Sequence, residues 1–188
     1  KTATTDFFKL KYGYQVVRLA HYSRRYEEAI KLYDEYILPC NTVSILQDLC
    51  LSLKAGALHN TMHNDEAAYL FSKTFSATSV KRVSNYYGFS WSAISVQDRE
   101  ASLKLCKSDK ERADLLALFA LNSTANEIAT LKQVYAIDPQ NKITETLVLR
   151  EVNKIEEKYL TRLLNEKKGR NGYYMWYDET IDTQIGRA

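Results

Sequence analysis

The sequence predicts an all-α protein built from antiparallel helix pairs, and three observations carry that expectation. The segment Arg25-Tyr26-Glu27-Glu28-Ala29-Ile30-Lys31-Leu32-Tyr33 returns, altered, as His63-Asn64-Asp65-Glu66-Ala67-Ala68-Tyr69-Leu70-Phe71, with Ala29 on Ala67 and Tyr33 on Phe71. Repetition at a period of about 35–40 residues marks a helical array in which each unit stacks on the next. Apolar residues recur at helical rather than alternating spacing along most of the chain. Only 2 Pro and 6 Gly interrupt 188 residues, so the helices are seldom broken. No βαβ alternation and no strand hairpin is visible. Within the repeated segment, a small residue followed four positions later by an aromatic puts both on one helix face. The small one admits a neighbouring helix, and the aromatic fills the gap beside it.

The elements follow in order. From Phe7 to Ala20 the residues Phe8, Tyr12, Val16, Leu19 and Ala20 are expected to form the buried stripe of a first helix. A short break at Tyr22-Ser23-Arg24-Arg25 leads to a second helix from about Tyr26 to Ile37, which stops at Pro39. Two helices so closely linked fold back antiparallel. Ser44 with Gln47 reads as a capping box opening a helix to about His59; Asn60–His63 turns the chain, and Asp65 to Phe75 forms the partner. Ser79 to Tyr87 suits a short helix ended by Gly88, with Phe89-Ser90-Trp91-Ser92 as a loop. Ser95 with Asp98, Ser108 with Glu111 and Thr124 with Glu127 repeat the capping pattern. They open helices ending near Lys107, Leu121 and Ile137-Asp138-Pro139. A last helix is expected from Thr144 to about Lys167, with Leu147, Val148, Val152, Ile155, Tyr159, Leu160, Leu163 and Leu164 as its stripe and Gly169 as its stop. The tail, with Gly172-Tyr173-Tyr174-Met175-Trp176-Tyr177 followed by acidic residues, reads as an extended segment laid on the array or as a linker.

Composition narrows the function classes. Twenty-six basic and 23 acidic residues are interspersed for a net charge of +3, which suits an ordinary solvated surface and not the concentrated basic stripe that nucleic acid requires. No run is long enough for a membrane span, and no secretory signal is visible. The chain opens at Lys1 rather than Met, as expected where an upstream part has been removed. The fourteen tyrosines suit half-buried seams between helices and also binding surfaces.

Chemistry-bearing motifs are sparse. Cys40, Cys50 and Cys106 show no CxxC spacing and read as small buried residues. Cys40 and Cys50 lie close enough in sequence to pair, but nothing demands it. His59 and His63 stand at i, i+4, yet Asn60 occupies the place where HExxH needs Glu, so no metal site is expected. There is no GxSxG, GxGxxG or phosphate loop, and no cofactor is expected. Glu27 and Glu28 point in different directions from adjacent helix positions and suit the first-turn dipole better than acid–base work. Asn122-Ser123-Thr124 matches a glycosylation sequon but also fits helix capping.

Tyr26, Ala29, Tyr33 and Pro39, then Ala67 and Phe71, and finally Tyr135-Ala136-Ile137-Asp138-Pro139-Gln140-Asn141 resemble tetratricopeptide repeats. The resemblance covers about half the chain and implies repeats at roughly 10–40, 48–77 and 108–140. With the closing helix over 144–167, residues 1–168 would form one short right-handed superhelix, and 169–188 a tail. The chain, with its Phe8-Lys9-Leu10-Lys11-Tyr12 opening, also resembles a segment of large uncharacterised repeat proteins of bacterial cell envelopes. That resemblance implies an envelope or periplasmic setting.

In the tetratricopeptide family the first helix of each pair lines a concave groove. Carried over, those positions are Lys11, Tyr14, Arg18, His21 and Tyr22, then Ser52, Gly56, His59 and Asn60, then Arg112, Leu116 and Phe119. The resemblance thus implies a non-enzymatic scaffold that binds a protein segment or another part of its own chain. Arg18 and Arg112 would grip a carboxylate, with Tyr14, Tyr22 and Phe119 supplying contact area. The rival expectations are a helical domain of a larger enzyme, with the concavity as part of a substrate pocket, and a nucleic-acid binder.

Overall fold

The computed structural model describes residues 5–93 and 95–161. Every regular element among them is helical: α1 (Asp6–Tyr22), α2 (Tyr26–Leu32), α3 (Ile45–Asn60), α4 (Asn64–Ala77), α5 (Arg82–Ser92), α6 (Val96–Lys104), α7 (Asp109–Asn122), α8 (Ile128–Ile137) and α9 (Thr144–Glu156). A π-helical turn, Tyr33–Ile37, extends α2, and another, Glu157–Thr161, extends α9. The chain divides into two compact units, Lys1–Leu115 and Leu116–Ala188. The outer part of the expected last helix, with Leu163 and Leu164, and the tail 169–188 lie outside the described residues.

In the first unit the repetition extends from sequence into backbone. Arg24 and Met62, at matching places in the two linkers, both adopt left-handed φ, 59° and 65°. Each is followed by a cap of nearly the same shape, Arg25 at φ −90°, ψ 70° and His63 at φ −90°, ψ 65°. The cap N–H groups reach back to the preceding helix alike, Arg25 to the Ala20 carbonyl at 2.9 Å and His63 to the Leu58 carbonyl at 2.9 Å. Ala29 and Ala67 are fully buried, and so, nearly, are Tyr33 and Phe71. α3 packs on the first pair through Cys50 and Leu53, which join Leu10, Val17, Tyr33, Ile37 and Cys40 in one apolar cluster. A second cluster holds the small residues Ala20, Ala29 and Ala57.

The buried face of α1 differs from the expected one. Leu10, Gly13, Val17 and Ala20 face inward, whereas Phe8, Tyr12, Val16 and Leu19 are 45, 62, 41 and 62 % exposed. The helix carries two apolar stripes, and the inward one holds the smaller residues because the paired helix comes close. A Cβ on Gly13 would stand 2.6 Å from Ile37 Cδ1.

Gly88 does not end a helix. α5 runs through it, and Phe89, expected in a loop, is fully buried within that helix. The ring of Phe71 lies against Gly88, where a Cβ would be 2.4 Å from Cζ. The glycine serves close approach and not a left-handed cap.

Helix starts are mostly set by local bonds. Ser95 and Asp98 form a reciprocal capping box, with the Asp98 N–H donating to Ser95 Oγ at 3.0 Å and the Ser95 N–H to Asp98 Oδ2 at 3.3 Å. Ser44 caps α3 through the Leu46 N–H, but Gln47 does not reciprocate; its amide donates to the Cys40 carbonyl at 2.8 Å and ties α3 to the end of the first pair. Ser108 accepts from the Glu111 N–H at 3.2 Å. The Glu111 carboxylate takes the Lys107 N–H at 2.7 Å, the Tyr69 hydroxyl at 2.8 Å and Lys73 Nζ at 2.9 Å.

In the second unit α8 starts at Ile128, later than the Thr124 pattern predicts. Its entry is held from α9: Glu151 Oε2 accepts the Glu127 N–H at 3.2 Å, and Lys154 Nζ donates to the Ala125 carbonyl at 2.7 Å. Glu151 and Lys154 pair at 2.5 Å, both buried. The inward face of α9 is therefore Leu147, Glu151 and Lys154. Val148, Val152 and Leu160, expected in the buried stripe, are exposed instead.

Candidate binding surface

The twelve groove positions inferred from sequence separate into three groups. Lys11, Arg18 and Tyr22 are exposed and lie on one flank of α1, at i, i+7 and i+11. The Arg18 guanidinium stands 5.8 Å from the centre of the Tyr22 ring. Asn60 is exposed at the end of α3 and donates to the Gly56 carbonyl at 2.8 Å. These four form the open edge along α1 and the end of α3. Arg112 is exposed on α7.

A second group lies in seams between helices. His21 leans on Gly56, where a Cβ would be 2.9 Å from its Cε1, and meets Tyr22 and Tyr26 edge-on at 5.5 and 5.6 Å. Burial lowers its pKa below the ordinary 6.5, Lys81 lowers it further, and a hydrogen bond to the Leu53 backbone acts the other way. Its Nδ1 has no hydrogen-bond partner. Tyr14 packs against the Leu10–Val17–Tyr33 cluster. Ser52 donates to Asn85 Oδ1 at 2.5 Å, and His59 Nδ1 lies 3.1 Å from Ser92 Oγ. Both of these partners are on α5, which therefore covers the α3 side on which Ser52 and His59 stand. The Ser92 hydroxyl donates to the Gly88 carbonyl at 2.8 Å and is fully buried, so the pair makes a structural contact and offers no nucleophile.

The third group is core. Leu116 and Phe119 are buried in α7 and present no surface to a ligand. No family model, curated protein or solved structure matches the chain.

One exposed feature was not among the groove positions. Tyr87 and Trp91 stack on α5 with centroids 6.1 Å apart, and Val83 continues their stripe one turn earlier. Their i, i+4, i+8 spacing is the signal that the loop assignment at Phe89–Ser92 concealed.

A groove of about 640 Å³ runs between α1 and the π-helical end of α2, lined by apolar Tyr12, Gly13, Val16, Leu32, Tyr36 and Pro39. Cys40 also lines it, but burial pushes that thiol up, away from the thiolate that a nucleophile needs. Among the described residues no cluster of three or more His, Cys, Asp or Glu is placed to hold a metal ion. No helix among them is long and apolar enough to cross a membrane.

Proposed function

We propose that the chain is a non-enzymatic interaction scaffold. Helix pairs stacked in the tetratricopeptide manner would present the edge of α1 and α3 to an extended peptide bearing a carboxylate. The observation that carries this reading is the Arg18–Tyr22 pair. Its ring and guanidinium are stacked at 5.8 Å on a helix, both side chains open to solvent. A guanidinium steadied on an aromatic face loses less freedom when it grips a carboxylate. Lys11 adds charge one side of it. The contact chain from Tyr22 through His21 and Gly56 to Asn60 extends the edge with an amide that reads a peptide backbone.

The test is an anisotropy titration of the full chain with labelled peptides ending in a free carboxylate, set against the same peptides amidated. Arg18→Ala is expected to weaken binding by about 1.5–3 kcal/mol, the range for a charge-assisted hydrogen bond. Its thermal midpoint should stay unchanged, because Arg18 is solvent-facing. Equal binding by wild type and variant, or by free and amidated peptides, would sink the reading.

A further inference from the structure

The exposed stripe of α1 has a counterpart inside the chain. Counting from the matched linkers, Phe8, Tyr12 and Leu19 stand where Leu46, Cys50 and Ala57 stand on α3. Cys50 and Ala57 are fully buried and Leu46 half-buried, all packed against the α1–α2 pair. The face that α3 turns toward a neighbouring helix pair is thus present on α1 with larger apolar residues and, among the described residues, no neighbour. Phe8, Tyr12, Val16 and Leu19 leave one face of the helix apolar and open, as an interaction surface requires.

Two features say what covers it. The apolar ridge of Phe8, Tyr12 and Leu19 lies directly beside the 640 Å³ groove floored by Gly13, Val16, Leu32 and Pro39. The two flanks also carry opposite charge: Lys11 borders the ridge, and Glu35 borders the groove, where Asp6 and Lys9 pair with each other at 3.3 Å. A two-fold rotation exchanges ridge with groove and basic flank with acidic flank. We propose that this face seats a second copy of the chain, the α1 ridge of each protomer lying in the α1–α2 groove of its partner. The same rotation sets Lys11 against Glu35 of the other protomer, which favours this register over a slipped one.

Sedimentation velocity of the full chain across a micromolar concentration series tests this. The expected result is a reversible shift to the mass of two chains. Leu19→Glu and Tyr12→Glu should each weaken association roughly tenfold or more. Both should leave the circular dichroism unchanged, since these side chains face solvent in the single chain. Glu35→Lys should weaken association as well, and more at low salt, where like charges are less screened. Val148→Glu, on the exposed side of α9, is the control and should change nothing. A single-chain mass at every concentration overturns the proposal. So does a dimer that survives both ridge variants, or one that Val148→Glu weakens equally.

Discussion

At Gly88 a missing side chain makes room for a ring. An added Cβ would meet three carbons of Phe71, at 2.4, 2.6 and 2.7 Å. Both partners are buried in the seam of α4 and α5, so neither yields easily. Gly88→Ala should therefore cost about 1–3 kcal/mol through overpacking, more than the roughly 1 kcal/mol that alanine gains in helix propensity. Urea denaturation measures the difference, and an unchanged midpoint would show that the ring moves aside. His21 makes a second prediction at this scale. Burial lowers its pKa, so the folded state binds this proton at lower pH than the unfolded chain does. Its contribution is complete above the unfolded value of 6.5 and is lost as pH falls below that value. The cause is plain: a proton on Nδ1 would sit in the seam with no acceptor. Denaturation midpoints at about pH 8 and about pH 5 should differ more for wild type than for His21→Gln.

The two linkers make an element-scale prediction. Arg24 and Met62 hold left-handed backbone that side chains disfavour. Arg24→Gly and Met62→Gly should each stabilise the protein, by up to about 1 kcal/mol after glycine's own entropy is counted. Thermal melts of the single and double variants would check both sign and additivity. The existence of nearly every helix was legible in the sequence, because caps such as Ser95–Asp98 and the pairing of Ala29 with Tyr33 are local facts. Faces were less legible. Periodicity marks both stripes of α1 as apolar, but only the approach of Ile37 to Gly13 decides which one is inside. A glycine at 88 looks like a stop until Phe71 is seen on it. On α9 the buried Glu151 and Lys154 break the rule that charges stay outside, and nothing nearby in sequence announces their partners at Ala125 and Glu127. The candidate surface divides the same way. Lys11, Arg18, Tyr22 and Asn60 are exposed as their helix register implies, whereas Tyr14 and His21, placed by the same register, lie in seams. The covering of Ser52 and His59 depends on α5, which runs on past Gly88 to Ser92.

For the molecule as a whole, the two compact units should respond separately to damage. In the second, Lys154→Met would strand the buried Glu151 carboxylate and leave the Ala125 carbonyl without its donor. Removing one partner of a buried pair typically costs about 3–5 kcal/mol. Hydrogen exchange should show the loss in α8 and α9, with α1 to α4 of the first unit protected as before. Equal loss of protection in both units would mean that they open together. The same measurement on Gly88→Ala should give the reverse pattern.

Cys40, Cys50 and Cys106 are free thiols at three depths. Cys50 lies fully buried where α3 meets the first pair, and its thiol is pushed up to about 12. An alkylating reagent can reach it only when α3 lifts away from α1 and α2. Cys40 borders the open groove at the end of the π-helical turn, and Cys106 sits half-buried just beyond α6. The chain thus carries its own clocks. The order and rates at which a mass spectrometer sees these thiols become modified would time the opening of three places in the first unit, with no probe added.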